Sequence, residues 1–237
     1  MKTLAIFGAG PGLGLSAARR FGKEGFRIAF VARSADRLKS FVDDLAAEGI
    51  EAAAFPADLD DRSTHRGVVD AITDRFGTID VAVINGIADY TAFRPVLEID
   101  VESLLEMMNG LVFAPLSLSR LVLPGMIERG DGALLFGLGA SAKNPMPPLA
   151  SPGSAQASLR NHIHNLNAVL AEKGVYAGAL TLGVVIERSD VQVAFDANPS
   201  DFGVEIERAD PDDLAERYWA MYTKRERAEE TVGAIAQ

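Results

Sequence analysis

Thr3-Leu4-Ala5-Ile6-Phe7-Gly8-Ala9-Gly10-Pro11-Gly12-Leu13-Gly14 begins as a β-favouring run and then places four glycines within seven positions. Glycine lets the backbone turn sharply and approach a diphosphate closely. A helix that starts inside such a loop offers free N–H groups and partial positive charge. A glycine pattern alone is a weak signal, but here a strand precedes it and a helix follows, which is the context that gives it meaning. Gly8, Gly10, Gly12, Leu13 and Gly14 are therefore the candidate phosphate-binding residues.

Outward from this loop, short apolar runs alternate with stretches of helical periodicity. Strands are expected at 3–7, 27–32, 51–56, 80–85, 133–137 and 175–182. Helices are expected at about 13–24, 35–48, 61–76, 101–129 with an interruption, 153–173 and 211–224. Leu38, Phe41, Val42 and Leu45 form one apolar stripe; Leu159, Ile163, Leu166 and Leu170 form another. Repeated βα units predict an α/β fold, a single Rossmann-like doubly wound parallel sheet with helices on both faces. Asp210-Pro211-Asp212-Asp213 reads as a helix start: a capping acid, Pro at the first helical position, then acids facing the positive helix end. The Pro-rich stretch 144–152 is expected to be stiff, and 186–209, with weak periodicity, reads equally as a lid or a surface loop.

The 237 residues suit one domain, and 48% hydrophobic residues supply a sizeable core. No run of 18 apolar residues argues for a membrane span, and the N-terminus lacks the pattern of a secretion signal. Zero Cys removes disulfides and thiolate chemistry and fits a cytoplasmic location. A net charge of −10 with no basic cluster argues against nucleic acid as a partner. His162 and His164, two apart on a helix, face different directions, so no metal site is expected.

The chain resembles the short-chain dehydrogenase/reductase family. Gly8, Gly12 and Gly14 match its Gly-x3-Gly-x-Gly loop, and later landmarks follow in family order along nearly the whole chain. Asp58, followed by Leu59, matches the Asp that contacts adenine. Asn85, in Ile84-Asn85-Gly86-Ile87, keeps part of the Asn-Asn-Ala-Gly motif. Leu182-Gly183-Val184-Val185-Ile186-Glu187 keeps the Gly of the motif after the sixth strand and loses its Pro and Thr; the Ile186 backbone is expected to meet the nicotinamide carboxamide. Arg33 closes the second strand where an acid would receive the ribose hydroxyls of NAD. A guanidinium there suits a 2′-phosphate, so NADP(H) is favoured over NAD(H).

The resemblance also implies a Ser, a Tyr and a Lys for proton transfer, with an Asn supporting a water relay. Tyr and Lys lie four apart on one helix face, where the cation lowers the phenol pKa. Those positions fall on Gly139, Pro152 and Gln156, and only Asn109 keeps the family identity. The chain's tyrosines are Tyr90, Tyr176, Tyr218 and Tyr222, and none has Lys four residues later. Gln156 can still hydrogen-bond the cofactor ribose. Replacement proton donors are sought in Tyr90, Ser141 and Lys143, all expected in loops at the ligand-facing end of the sheet. Two readings follow: an NADP(H)-dependent oxidoreductase acting on a carbonyl or activated double bond, and a non-catalytic dinucleotide-binding sensor or partner subunit. The apolar stretch 111–123 and the stripe on helix 153–173 lead to an expected homodimer or homotetramer.

Overall fold

The central strands are apolar at nearly every position because both faces of the sheet are covered. In β1 (Thr3–Phe7), Leu4 and Ile6 pack against helices α1 (Leu13–Gly22), α2 (Ala35–Ala47) and α8 (Pro211–Lys224). Ala5 and Phe7 of the same strand pack on the other side, under α3 (His65–Phe76), α5 (Ala114–Arg129) and α6 (Ala150–Leu170). The two-residue period of the strand thus divides one apolar run between two cores.

The structure is a computed structural model and describes residues 1–85, 90–197 and 206–233, with Tyr90 described by its backbone. Among them, seven strands form one parallel sheet in the order β3-β2-β1-β4-β5-β6-β9. They are β1, β2 (Arg27–Ala32), β3 (Ala52–Pro56), β4 (Val81–Asn85), β5 (Gly132–Gly139), β6 (Val175–Leu182) and β9 (Glu229–Val232). The strand order reverses between β1 and β4, which opens a crevice at the carboxyl ends of the strands. The doubly wound α/β fold expected from the sequence is the fold observed.

Three features differ from expectation. The segment 186–209 holds helix α7 (Asp190–Ala197) and a small parallel pair, β7 (Val185–Ile186) with β8 (Arg208–Ala209); residues 198–205 of it lie outside the described residues. Strand β9 extends the sheet beyond β6. Its sequence, Glu-Glu-Thr-Val, hides it because Glu229 turns into a polar cluster on an edge strand instead of a core. Helix α6 starts at Ala150 and carries Pro152 and Gly153 in its first turn, where Pro costs no hydrogen bond.

Asp210 caps α8 as expected, accepting the Asp212 N–H with Pro211 at the first turn. The interruption in 101–129 is a π-helical turn, Asn109–Phe113, between α4 (Val101–Met108) and α5. By length and composition, 101–129 is also a helical stretch long and apolar enough to cross a membrane. Here Leu118, Val122 and Met126 of that stretch are buried against the sheet.

Candidate functional site

At the end of β1 the chain reverses at Gly8, whose φ of +80° is a conformation that favours glycine. The Gly8 and Ala9 N–H groups both donate to Val31 O, at 3.0 and 3.1 Å, which pins the loop to β2. A Cβ on Gly14 would lie 3.2 Å from Ala9 Cα, so a side chain there would push the loop back by a few tenths of an ångström. A Cβ on Gly10 would meet nothing within 4 Å, and Gly10 opens into the cleft. The first turn of α1 has no acid, and its cap residue Gly12 supplies no side-chain acceptor. Leu15 N–H bonds to Gly10 O, while the amides ahead of it have no acceptor within the helix. This is a cradle for an anion, and the residues present fit a dinucleotide diphosphate.

The cleft above this loop encloses about 840 Å³, within the range of small-molecule sites. Gly8, Gly10, Gly12, Leu13, Gly14, Arg33, Leu59, Asn85, Gln156 and Ile186 all line it. Asp58 does not. Its carboxylate accepts the Asp60 N–H at 3.1 Å and closes its own loop, while Asp60 lines the cleft in its place. Burial pushes the Asp60 carboxyl above its ordinary range; neighbouring Asp58 adds to this and Arg33 opposes it.

Arg33, Ser34 and Arg37 project from the end of β2 and the start of α2. Ser34 caps α2 by accepting Arg37 N–H at 3.3 Å, and the Arg37 side chain pairs with Asp190 of α7 at 2.6 Å. The loop carrying Leu59 is fixed from below by buried His65. Its Nε2 faces Leu59 O at 2.9 Å and must carry the proton, so Nδ1 accepts from Ser117 Oγ at 3.0 Å.

Toward β5 and β6 the lining changes to Leu111, Leu138, Leu149, Pro152, Leu182 and Val184. Gly139, Pro152 and Gln156, the three positions aligned with Ser, Tyr and Lys, meet on this wall. Gln156 is 8% exposed, and its Oε1 accepts the Gly139 N–H at 2.9 Å. Asn85 Oδ1 accepts a 3.2 Å hydrogen bond from Tyr218 Oη, and burial raises that phenol well above its ordinary pKa.

The four candidate proton-handling residues separate. Ser141 lines the cleft. Lys143 is exposed and outside the lining, with Nζ donating to Thr231 Oγ1 at 3.4 Å. Asn109 is also outside it; Oδ1 accepts from Arg62 at 2.6 Å and Nδ2 donates to Asp60 O at 2.9 Å, which braces the loop after β3. The Tyr90 side chain lies outside the described residues.

Sequence reading missed Ser34, Arg37, Asp60, His65 and Tyr218. Ser34 carried a usable signal, since it stands directly before the first periodic residues of α2, where a cap belongs. Tyr218 carried none, because its partner is 133 residues away.

Residues 2–197 match the sequence profile described as short chain dehydrogenase. A short chain dehydrogenase of Pseudocercospora fijiensis is 30% identical over 188 residues, covering 78% of this chain and 60% of that protein. The chain therefore spans less than two thirds of that relative's length. Among solved structures, the actinorhodin polyketide ketoreductase with NADPH is similar at a TM-score of 0.87 and 22% identity, covering 98% of this chain and 95% of that one. The L-sorbose reductase from Gluconobacter frateurii complexed with NADPH and L-sorbose follows at 0.82 and 22% identity, with the same coverage. With the sheet order and the glycine cradle in place, the family match over most of the chain settles its membership: this protein belongs to the short chain dehydrogenase family.

Proposed function

We propose that this chain is an NADP(H)-dependent oxidoreductase that reduces a carbonyl or a double bond activated by one. The observation that carries this reading is the uncapped first turn of α1 opening into a cleft that also contains Arg33. The N–H groups of Gly10, Gly12, Leu13 and Gly14 hold the diphosphate. Arg33 takes the 2′-phosphate, with Ser34 and Arg37 beside it, and Leu59 covers the adenine. Asn85, Gln156 and the Ile186 backbone face the nicotinamide half. Two solved structures of similar fold are described as binding NADPH, which supports the cofactor assignment. A bound nicotinamide would supply a hydride, and the wall from Leu138 to Val184 gives that end of the cleft a largely apolar lining.

A second reading, a dinucleotide sensor or partner subunit without catalysis, is favoured by Gly139 and Pro152, which can donate no proton to a substrate. One experiment separates the two. NADPH is titrated into the protein, and its oxidation is then followed across ketones, aldehydes and enones. Micromolar binding with turnover supports the reductase. Binding without turnover on any substrate supports the sensor, and no binding overturns both.

A further inference from the structure

Two polar groups, a hydroxyl and the NH₂ end of a carboxamide, stand on the otherwise apolar wall of the cleft. Gln156 Oε1 is held by the Gly139 N–H at 2.9 Å, which orients the amide and leaves Nε2 with both its hydrogens. Neither Gln156 Nε2 nor Ser141 Oγ has a hydrogen-bond partner among the described residues, and both side chains line the cleft. Both side chains flank Gly139: a Cβ there would lie 3.0 Å from Gln156 Oε1 and 3.7 Å from Ser141 Oγ, and Nε2 is the other end of the same carboxamide. Helix α6 presses Ser141 in from behind, since a Cβ on Gly153 would meet Ser141 O at 3.0 Å and Ser141 Cβ at 3.1 Å. Two positions without side chains thus let the end of β5, Ser141 and α6 close on one point. The charged groups of the described lining, Arg33, Arg37, Asp60 and Asp190, belong to the β2–β3 half of the cleft or to its α7 rim.

We propose that Ser141 Oγ–H and Gln156 Nε2–H form a two-donor cradle for the carbonyl oxygen of a substrate with an apolar body. The proposal rests on the reductase reading above and gives its substrate a class: an uncharged ketone, aldehyde or enone. An alcohol ionises far above neutrality and a carboxamide does not ionise, so neither group acts as an acid. What they do is donate to an oxygen whose negative charge grows as the carbon accepts hydride, in a site where neutral dipoles act strongly. Converting C=O to CH–OH consumes one hydride, from reduced nicotinamide, and one proton. Water gives that proton to the alkoxide and leaves as hydroxide. In an enone the charge falls on the same oxygen, so the same pair serves both substrates.

The test uses ketones labelled with ¹³C at the carbonyl: 2-heptanone, acetophenone and cyclohexenone, each bound with NADP⁺, which cannot reduce them. Donation to the oxygen moves the carbonyl resonance downfield. The expected result is a downfield shift in the wild-type protein that falls to half or less in Ser141→Ala and in Gln156→Glu. Glu keeps an oxygen for the Gly139 N–H and loses the donor, and Ala removes one oxygen, so the two variants test the pair independently. No shift for any of the three ketones in protein that binds NADP⁺, or a shift that survives both substitutions, overturns the cradle. Failure of the wild-type protein to bind NADP⁺ overturns the reductase reading instead.

Discussion

Tyr218 Oη reaches Asn85 Oδ1 at 3.2 Å, joining helix α8 to the last residue of β4 at the floor of the cleft. The bond passes through a gap kept open by Gly137, where a Cβ would lie 2.9 Å from Asn85 Oδ1 and 3.0 Å from Tyr218 Oη. This bond takes one of the two lone pairs of Asn85 Oδ1 and none of the hydrogens of its NH₂, which can donate to a ligand. Burial keeps the phenol protonated, so the bond persists across neutral pH. Tyr218→Phe keeps the ring and removes the donor. It is expected to cost about 1 kcal/mol of stability and to weaken NADPH binding roughly three- to tenfold. Thermal melts and cofactor titration check this; unchanged affinity would show that Asn85 needs no support.

Among the described cations of the cleft lining, Arg37 is paired with Asp190, so the proposed 2′-phosphate contact falls to Arg33. Arg33→Asp is expected to weaken NADPH binding at least about tenfold and to narrow the gap with NADH. Equal affinities before and after the change would refute the role given to Arg33.

Glu229 holds β9 to the body of the fold. Burial alone would raise its carboxyl pKa. Hydrogen bonds from Arg160, Thr181 and His164 outweigh that and hold it at about 2. A folded-state pKa below the unfolded one means that the stability from this cluster is present above the ordinary carboxylate range. It is lost as pH falls from about 4.5 toward 2. Thermal melts from pH 6 to pH 2.5 should show this decline. Glu229→Gln should lower stability at neutral pH and flatten the acid limb.

Gly174, between α6 and β6, has a φ of +72°, and a Cβ there would come within 2.1 Å of Gly130 O. Gly174→Ala is expected to destabilise by more than the ~1–2 kcal/mol that left-handed backbone alone costs an L residue. A drop of several degrees in Tm checks it.

Leu118 and Val122 of the stretch 111–123, and Leu159, Ile163 and Leu170 of the helix stripe, from which self-association was expected, are buried in the chain's own core. Leu97, Val101 and Leu105 stand 95%, 68% and 55% exposed on and beside α4, and we propose that this apolar face instead pairs copies of the chain as a homodimer or homotetramer. Light scattering should give two or four times the 25.2 kDa chain mass, and Val101→Glu with Leu105→Glu should return it to one.

The cradle and the sheet were legible because their causes are local. A glycine loop between strand and helix, and apolar runs buried on both faces, leave their pattern in consecutive residues. Strand β9 escaped because an edge strand built around an ion pair carries no apolar pattern. Asn109 and Lys143 could be aligned with a site by sequence. Their side chains were then claimed by Asp60 O, Arg62 and Thr231, through contacts between distant segments.

The order of residues alone determined that Tyr-x3-Lys is absent from this chain and that four glycines open the first helix. Packing decided how the groups now at that end of the cleft are arranged. The turn of the Gln156 amide, the space behind Ser141 and the reach of Tyr218 to Asn85 depend on α6 and α8 closing against the ends of β4 and β5. Such closeness is set by side-chain volumes contributed from many parts of the chain, and no stretch of sequence carries it by itself.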